Sequence, residues 1–430
     1  MSFSTALSGI RAATLDLEVI GNNIANVSTT GFKQSRAEFA DVYAASALGT
    51  ASTAIGKGVR LQAPAQQFTQ GNITFTDNVL DLAINGNGFF MLREPAGSIV
   101  YGRAGNFKVD RDDFIVDGNG YRLMAASLDG EMLADGLRID RSYQNPNATT
   151  DIDAVFNLDS RQEAPPAILA FDVTDPDSFN HTTSTTVYDS LGNPHTLTAY
   201  FRKNEDDPGA TPPVFNSWQV HLRVNGQEVS QMVDPDGDPS DPANLNPFLG
   251  GLQFQTDGRL PPLTGMFNGL VFEPPQGVEA GADIMVFDFD MSNSTQFGSN
   301  FSVTQLAQDG YTTGQVRTID VGGDGRILVR YTNGQSQALG QILLANFPNA
   351  QGLQALGDTV WAETIASGAA VVSAPQTGGL GTIQSGALEE SNVDLTESLI
   401  RMIIAQRNFQ ANAQMIRTTD TVTQTIIQIR

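Results

Sequence analysis

Proline is confined to the interior of this 430-residue chain: 15 of its 20 prolines lie between residues 165 and 275, none precedes Pro64 and none follows Pro375. Proline removes a backbone donor and clashes with the preceding turn of a helix, so long helices are open to the two ends and closed to the middle. Acidic charge follows the same division. Residues 151–296 hold 22 acids and 5 bases, against 15 and 12 in residues 1–150 and 10 and 7 in residues 297–430, so the middle carries 17 of the 23 net negative charges. So acidic a chain is repelled by nucleic acid and by anionic membrane, and neither is expected as a partner. The absence of cysteine removes disulfides, thiolate nucleophiles, zinc–thiolate sites and iron–sulfur clusters together. No run of about 18 apolar residues occurs and no basic segment leads into a long apolar one, so neither a membrane span nor a Sec-type signal is expected.

In residues 3–27, apolar side chains recur at Phe3, Leu7, Ile10, Leu17 and Ile24, with Thr14 and Gly21 in the gaps. This alternating three/four spacing predicts a helix with one apolar seam. Arg11, Asp16, Glu18, Asn22 and Asn23 lie opposite, and the run Asn26-Val27-Ser28-Thr29-Thr30-Gly31 supplies the stop. At the other end, Ser391-Asn392-Val393-Asp394 has the form of a capping box, and neither Gly nor Pro follows it. A helix is therefore expected to run to Arg430 with a stripe of Leu395, Leu399, Met402, Phe409, Ala413 and Ile416, interrupted by Gln406 and continued less regularly by Val422, Ile426 and Ile429. At ~1.5 Å per residue the two helices would be roughly 35 and 55 Å long, too long for one small domain to hide.

Two such helices at opposite ends of a chain can pair only where the chain leaves and returns at one place, which implies nested insertion. Val19, Ile20, Ile400, Ile403 and Ile404 lie off the main stripes and are expected to seek further neighbours. Surplus apolar surface of this kind points to assembly. The expected assembly interface comprises Phe3, Leu7, Ile10, Leu17, Ile24, Leu395, Leu399, Met402, Phe409 and Ile416.

The interior reads as β structure. Residues 168–173, 185–188, 197–201, 218–224 and 284–289 alternate or are rich in β-branched and aromatic side chains, and Asn225-Gly226, Asp257-Gly258 and residues 234–242 carry turn chemistry between them. Three further sites are expected to be hairpin turns: Asn85-Gly86-Asn87-Gly88, Asp117-Gly118-Asn119-Gly120 and Asn333-Gly334. The fold class expected is mixed and mainly β, with long terminal α-helices and two nested, inserted β domains.

Catalysis has little support. His181, His195 and His221 are scattered without a partner motif and are expected on loop or strand surfaces. Gly379-Leu380-Gly381 lacks the third glycine of a dinucleotide loop and is expected to be a flexible linker. Asp234-Pro235-Asp236-Gly237-Asp238 imitates a calcium loop, but Pro239 and Leu245 stand where that loop needs Gly and Glu. Asp110, Asp112 and Asp113 are expected on a turn face. No enzyme activity, cofactor or metal is expected.

Residues 6–43, ALSGIRAATLDLEVIGNNIANVSTTGFKQSRAEFADVY, and residues 386–430, from GALEESNVDLTESL to the end, resemble the flagellar rod and hook family of axial proteins. Residues 82–90, LAINGNGFF, and 103–107, RAGNF, are similar to segments found across that family. Residues 187–195, VYDSLGNPH, together with 308–311, QDGY, and 344–347, LANF, resemble its hook members rather than its shorter rod members.

The resemblance implies a subunit exported unfolded through the flagellum's type III export apparatus. It implies polymerisation with copies of itself, beneath a hook cap protein, into a short curved tube that joins rod to filament as a universal joint. The distal rod protein and the hook–filament junction protein would be its neighbours. It further implies that the terminal helices (1–30 and 391–430) form a coiled-coil-like core layer, followed by a linker region (31–70 and 366–390), an inner β domain (71–150 and 297–365) and an outer acidic β domain (151–296). The competing readings are a distal rod or other axial protein and, from a different class, an extracellular carbohydrate-active enzyme or adhesin.

Overall fold

The computed structural model describes residues 3–42, 56–139, 143–166, 170–206, 209, 215–232, 245–262, 264–273 and 281–428. The chain divides into two compact units. A helix-bearing unit comprises Met1–Arg141, Arg317–Arg330 and Ser336–Arg430, and an inserted unit comprises Ser142–Val316 and Tyr331–Gln335.

Two helices flank the helix-bearing unit in sequence, α1 (Phe3–Ala25) and α2 (Leu395–Gln428). The α1 helix ends at the start of the expected stop run, where Asn26 N–H is shared between the carbonyls of Asn22 and Asn23. The turn that follows closes on Gly31 at φ +69°, where a Cβ would run into the backbone of Ala104. Asp394, not Ser391, caps α2: its Oδ1 accepts from the backbone N–H of Glu397 at 3.0 Å, whereas Ser391 Oγ serves only Val393 N–H. The cap must immediately precede the first helical residue, and Asp394-Leu395-Thr396-Glu397 meets that spacing. Ile429 and the side chain of Ile426 fall outside the described residues. Among the described residues no helix is long and apolar enough to cross a membrane.

An antiparallel hairpin, Ser35–Asp41 with Val59–Gln66, lies next to α1, and a nine-stranded sheet forms the β body. That sheet's core gathers Phe89, Met91, Tyr101, Phe347 and Trp361, with Phe68 edge-on to both Phe89 and Trp361 at 5.5 Å between ring centroids. Asp117–Gly120 and Asn333-Gly334 each join two paired strands, as their turn chemistry predicts. The Asn85–Gly88 run does not make the expected hairpin. Leu82–Asn85 pairs with Thr382–Ser385 while Phe89–Arg93 pairs with Ile99–Gly102, so the loop passes between sheets. Its glycines serve close packing instead: a Cβ on Gly86 would lie 2.9 Å from Gly381 Cα. The expected flexible linker at Gly379–Gly381 is consequently ordered, with Leu380 buried and Gly381 N–H donating to Asn87 O at 2.8 Å.

The inserted unit is a β sandwich. Strands Pro194–Lys203 and Ser217–Val224 belong to one sheet, and Asp151–Asp159, Met266–Phe272 and Met285–Asp290 to the other. Their alternating inward side chains meet in a shared core that includes Phe156, Phe201, Trp218, Phe272, Phe287 and Phe289. Of the expected strand at 168–173, residues 168 and 169 lie outside the described residues and 171–173 are loop and turn. The calcium-loop imitation at 234–238 and the turn stretch 234–242 that contains it also lie outside them.

Candidate assembly interface

The two terminal helices pack against each other antiparallel. Gly9 of α1 meets Asn412 of α2, closely enough that any Cβ on Gly9 would collide with the Asn412 side chain. Two turns along α1, Asp16 feels the charge of Arg401. Burial raises the Asp16 carboxyl above its ordinary range, and Arg401 opposes that rise.

Small side chains make this seam. On α1 the buried residues are Ala6, Ala13, Ile20 and Asn23; on α2 they are Ser398 and Ala405, with Asn412 and Thr419 half-buried at the same seven-residue interval. Heptad spacing keeps one face toward the partner, and small residues let the two backbones approach closely. Ile20, expected to seek an outside neighbour, is buried within its own chain because it continues the Ala6–Ala13 heptad.

None of the ten expected interface residues is buried in the single chain. Phe3, Leu395, Leu399 and Phe409 are exposed, and Leu7, Ile10, Leu17, Ile24, Met402 and Ile416 are half-buried. Ile400, Ile403 and Ile404 add a row of side chains about half exposed (53%, 51% and 52%). The buried face of the pairing is thus made mostly of small residues, and the large stripe residues stay half-buried or exposed. The Ala6/Ala13/Ile20 and Ser398/Ala405/Asn412 repeats lie outside the expected stripe of large residues; their heptad interval is visible in the sequence, but not that this face meets the other helix.

The helix roots are tied to neighbouring elements by polar contacts that explain much of the terminal motifs. Asn23 bonds Ser35 twice, donating from Nδ2 to its carbonyl at 2.7 Å and accepting its N–H at 2.9 Å. Ser8 Oγ accepts Val59 N–H at 3.2 Å, so the hairpin is held at both ends of α1. Asn392 accepts Gln34 N–H at 2.8 Å and donates to Gln67 O and Thr69 Oγ1. Lys33, Arg103 and Glu389 meet in a buried cluster, with Lys33 Nζ 2.6 Å from Glu389 Oε1 and Arg103 Nη1 3.2 Å from Oε2.

The other candidate sites are structural. Asp110 Oδ1 accepts from the N–H groups of Asp112 and Phe114, an Asx-type turn. His195 is buried rather than on a surface, between Asp189 and Asn225. It joins the turn at Asp189 to that at Asn225, which lies 30 residues beyond His195, a link that local sequence does not reveal. Among the described residues no group of three His, Asp or Glu side chains is placed to hold a metal ion.

Four family models match the chain in order: a flagella basal body rod protein model over residues 3–33, a flagellar hook protein FlgE/F/G D1 domain over 83–153, a flagellar basal body protein FlaE D2 domain over 157–311, and a flagellar basal body rod FlgEFG protein C-terminal model over 384–429. Terminal helices around a nested β body, with those models at those places, define a flagellar rod and hook axial protein. The flagellar hook proteins FlgE of Escherichia coli and Salmonella typhimurium are each 37% identical over the whole of both chains, and that of Borreliella burgdorferi is 31% identical over all of this chain and 99% of its own. The chain belongs to the flagellar hook protein FlgE family. A crystal structure of Helicobacter pylori flagellar hook protein FlgE2 shares the fold, with a TM-score of 0.53 at 14% identity over 74% of this chain and 100% of that one.

Proposed function

We propose that this chain is a structural subunit of the bacterial flagellar hook, polymerising through its terminal helices into a curved, flexible extracellular tube that acts as the universal joint between rod and filament. Family membership supports a structural role and association with other flagellar components. The observation that carries the assembly mechanism is the outward row of large apolar side chains on α1 and α2, above all Ile400, Ile403 and Ile404. A seam of mostly small or polar side chains, with Ile20 as its large apolar member, removes little apolar area from water, so at ~25 cal/mol per Å² the lone pair gains little against the entropy of ordering. Neighbouring copies supply the missing burial, and heterologous contacts that do not close into a ring generate a helical tube.

In our reading, residues 1–30 and 391–430 form the tube's core layer, 31–70 and 366–390 a linker region, 71–150 and 297–365 the inner β layer, and 151–296 the acidic outer layer. The ten stripe residues are the core-layer contacts. The hook cap protein, the distal rod protein, the hook–filament junction protein and the type III export apparatus are the partners this role requires.

Electron microscopy of concentrated protein, paired with amide exchange at high dilution, tests the mechanism. Tubes should form, and α1 and α2 should exchange rapidly in the dilute monomer and slowly in the tube. Full protection of both helices in the lone molecule would count against it.

A further inference from the structure

Residues 382–393 run through the helix-bearing unit as an extended segment, mostly along elements from the N-terminal quarter of the chain. Thr382–Ser385 pairs antiparallel with Leu82–Asn85, and Ala387–Glu389 with Ile73–Phe75. Glu389 itself is wholly buried. Its Oε1 accepts from Lys33 Nζ at 2.6 Å and from Gly71 N–H at 2.9 Å, and its Oε2 accepts from Arg103 Nη1 at 3.2 Å. Lys33 Nζ also donates to Thr69 O at 2.7 Å, and Arg103 Nη2 to Gly86 O at 3.0 Å, with the guanidinium 5.3 Å from the Phe89 ring centroid.

Two buried cations therefore share one carboxylate. Carbonyls and an aromatic face soften the surplus positive charge but cannot replace the counter-ion. A buried ion stripped of its partner is strongly unfavourable, whereas the paired arrangement is tolerated. Burial holds the Lys33 ammonium below its ordinary range, and Glu389 works against that shift.

We infer that residues 31–34, 67–75 and 82–103 form a receptor slot for an extended, glutamate-bearing segment, that its occupant is this chain's own residues 382–393, and that Glu389 is the side chain by which the slot recognises it. The mode is strand addition: backbone pairing supplies the fit, and the carboxylate in a cationic pocket supplies selectivity. Because α2 begins just beyond this segment, the helical arm is fastened to the β body only when Glu389 is seated.

Charge balance distinguishes this from simple packing. Glu389→Gln is nearly isosteric yet leaves two buried cations facing each other. Lys33→Met replaces the ammonium by an apolar side chain of similar length and leaves Arg103 and Glu389 as a balanced pair. Hydrogen-exchange mass spectrometry of the full-length variants reads the difference. Glu389→Gln should speed exchange in residues 67–75 and 382–393 by ~100-fold or more, the scale of stranding a buried ion. Lys33→Met should change it less than about tenfold, and strands Pro194–Lys203 and Ser217–Val224 should be unaffected in both. A synthetic peptide of residues 380–394 should restore protection of residues 67–75 in Glu389→Gln, and the same peptide bearing Gln at 389 should not. Unfolding of the helix-bearing unit alone by Glu389→Gln would also support the slot. Native protection in Glu389→Gln, equal disruption by both variants, loss of both units, or no discrimination between the peptides would overturn it.

Discussion

Asn225 Nδ2 lies 2.8 Å from His195 Nδ1, and because Asn225 Oδ1 already accepts Thr196 N–H, the amide must donate and the imidazole nitrogen must accept. His195 Nε2 then carries the hydrogen and donates to Asp189 Oδ2 at 3.2 Å. Asp189 also accepts from Leu191 N–H, Asn193 N–H and Asn193 Nδ2. Burial alone would raise the Asp189 carboxyl, but these bonds outweigh it and hold the group below its ordinary range.

His195→Leu should therefore destabilise the inserted unit by about 1–3 kcal/mol, since it takes a hydrogen bond from the buried Asp189 Oδ2 and leaves that oxygen with Asn193 Nδ2 alone. Urea unfolding followed by Trp218 fluorescence measures the loss. In the native protein, nitrogen-15 NMR should report a neutral ring protonated at Nε2. A ring protonated at Nδ1 would contradict the network.

His221 should give the inserted unit a pH dependence. Its ring stacks on Phe171 at 3.8 Å between centroids, and its pKa is lowered to about 4 by burial first, then by Arg202 and Arg223. Tyr200, opposite it on the adjacent strand, completes its surroundings. The folded pKa lies below the unfolded value near 6.5, so as pH falls the unfolded chain takes up the proton first. Stability is thus full above about pH 6.5, declines between there and about pH 4, and is flat below that for this group. Allowing for partial solvent exposure, the loss should be about 1–2 kcal/mol. His221→Gln should remove this part of the slope in urea titrations at a series of pH values; an unchanged slope would show the decline to arise elsewhere.

The α1–α2 seam and the outward stripe should fail in different ways. Gly9→Leu overpacks the seam against Asn412 and should cost about 1–3 kcal/mol of helix pairing, seen as faster exchange in α1 of assembled tubes. Leu7→Asp, Ile403→Asp or Ile416→Asp should leave both β-rich units folded by circular dichroism and abolish tubes under the electron microscope. Normal tubes from Ile403→Asp would mean that the exposed isoleucines do not meet a neighbouring copy.

How much of this was legible beforehand follows the range of the interactions. The terminal helices declare themselves because an apolar spacing is a local property, and the strands at residues 197–201 and 218–224 likewise. Which face of a helix meets which neighbour is not local: Ala13 and Ser398 look inert until the other helix is in place. The Asn85–Gly88 loop carries hairpin chemistry, yet the strand before it pairs with Thr382–Ser385, about 300 residues away, while the strand after it pairs with Ile99–Gly102, and the approach of Gly381 is what requires a glycine at Gly86. Lys33, Arg103 and Glu389 each sit inside recognisable motifs, but their common pocket is a product of the fold.

Excision of the inserted unit tests the nested organisation, and the strand pairing determines where to cut. Removing residues 151–296 deletes Asp151–Asp159 but leaves its antiparallel partner Ser302–Gln308 unpaired, an exposed edge that invites aggregation. Asn147 and Tyr311 instead face each other as a bridge, with backbone bonds of 3.0 and 2.9 Å in the two directions. Deleting residues 149–309 and closing the gap with an Asn-Gly turn should therefore give a soluble protein whose helix-bearing unit keeps its native amide protection. In our reading it still forms tubes, altered in curvature or stiffness because the acidic outer layer is gone. The 151–296 deletion should aggregate under the same conditions. Should the helix-bearing unit unfold after the cleaner cut, the inserted residues would be part of its core rather than a guest in it, and the nested reading would fail.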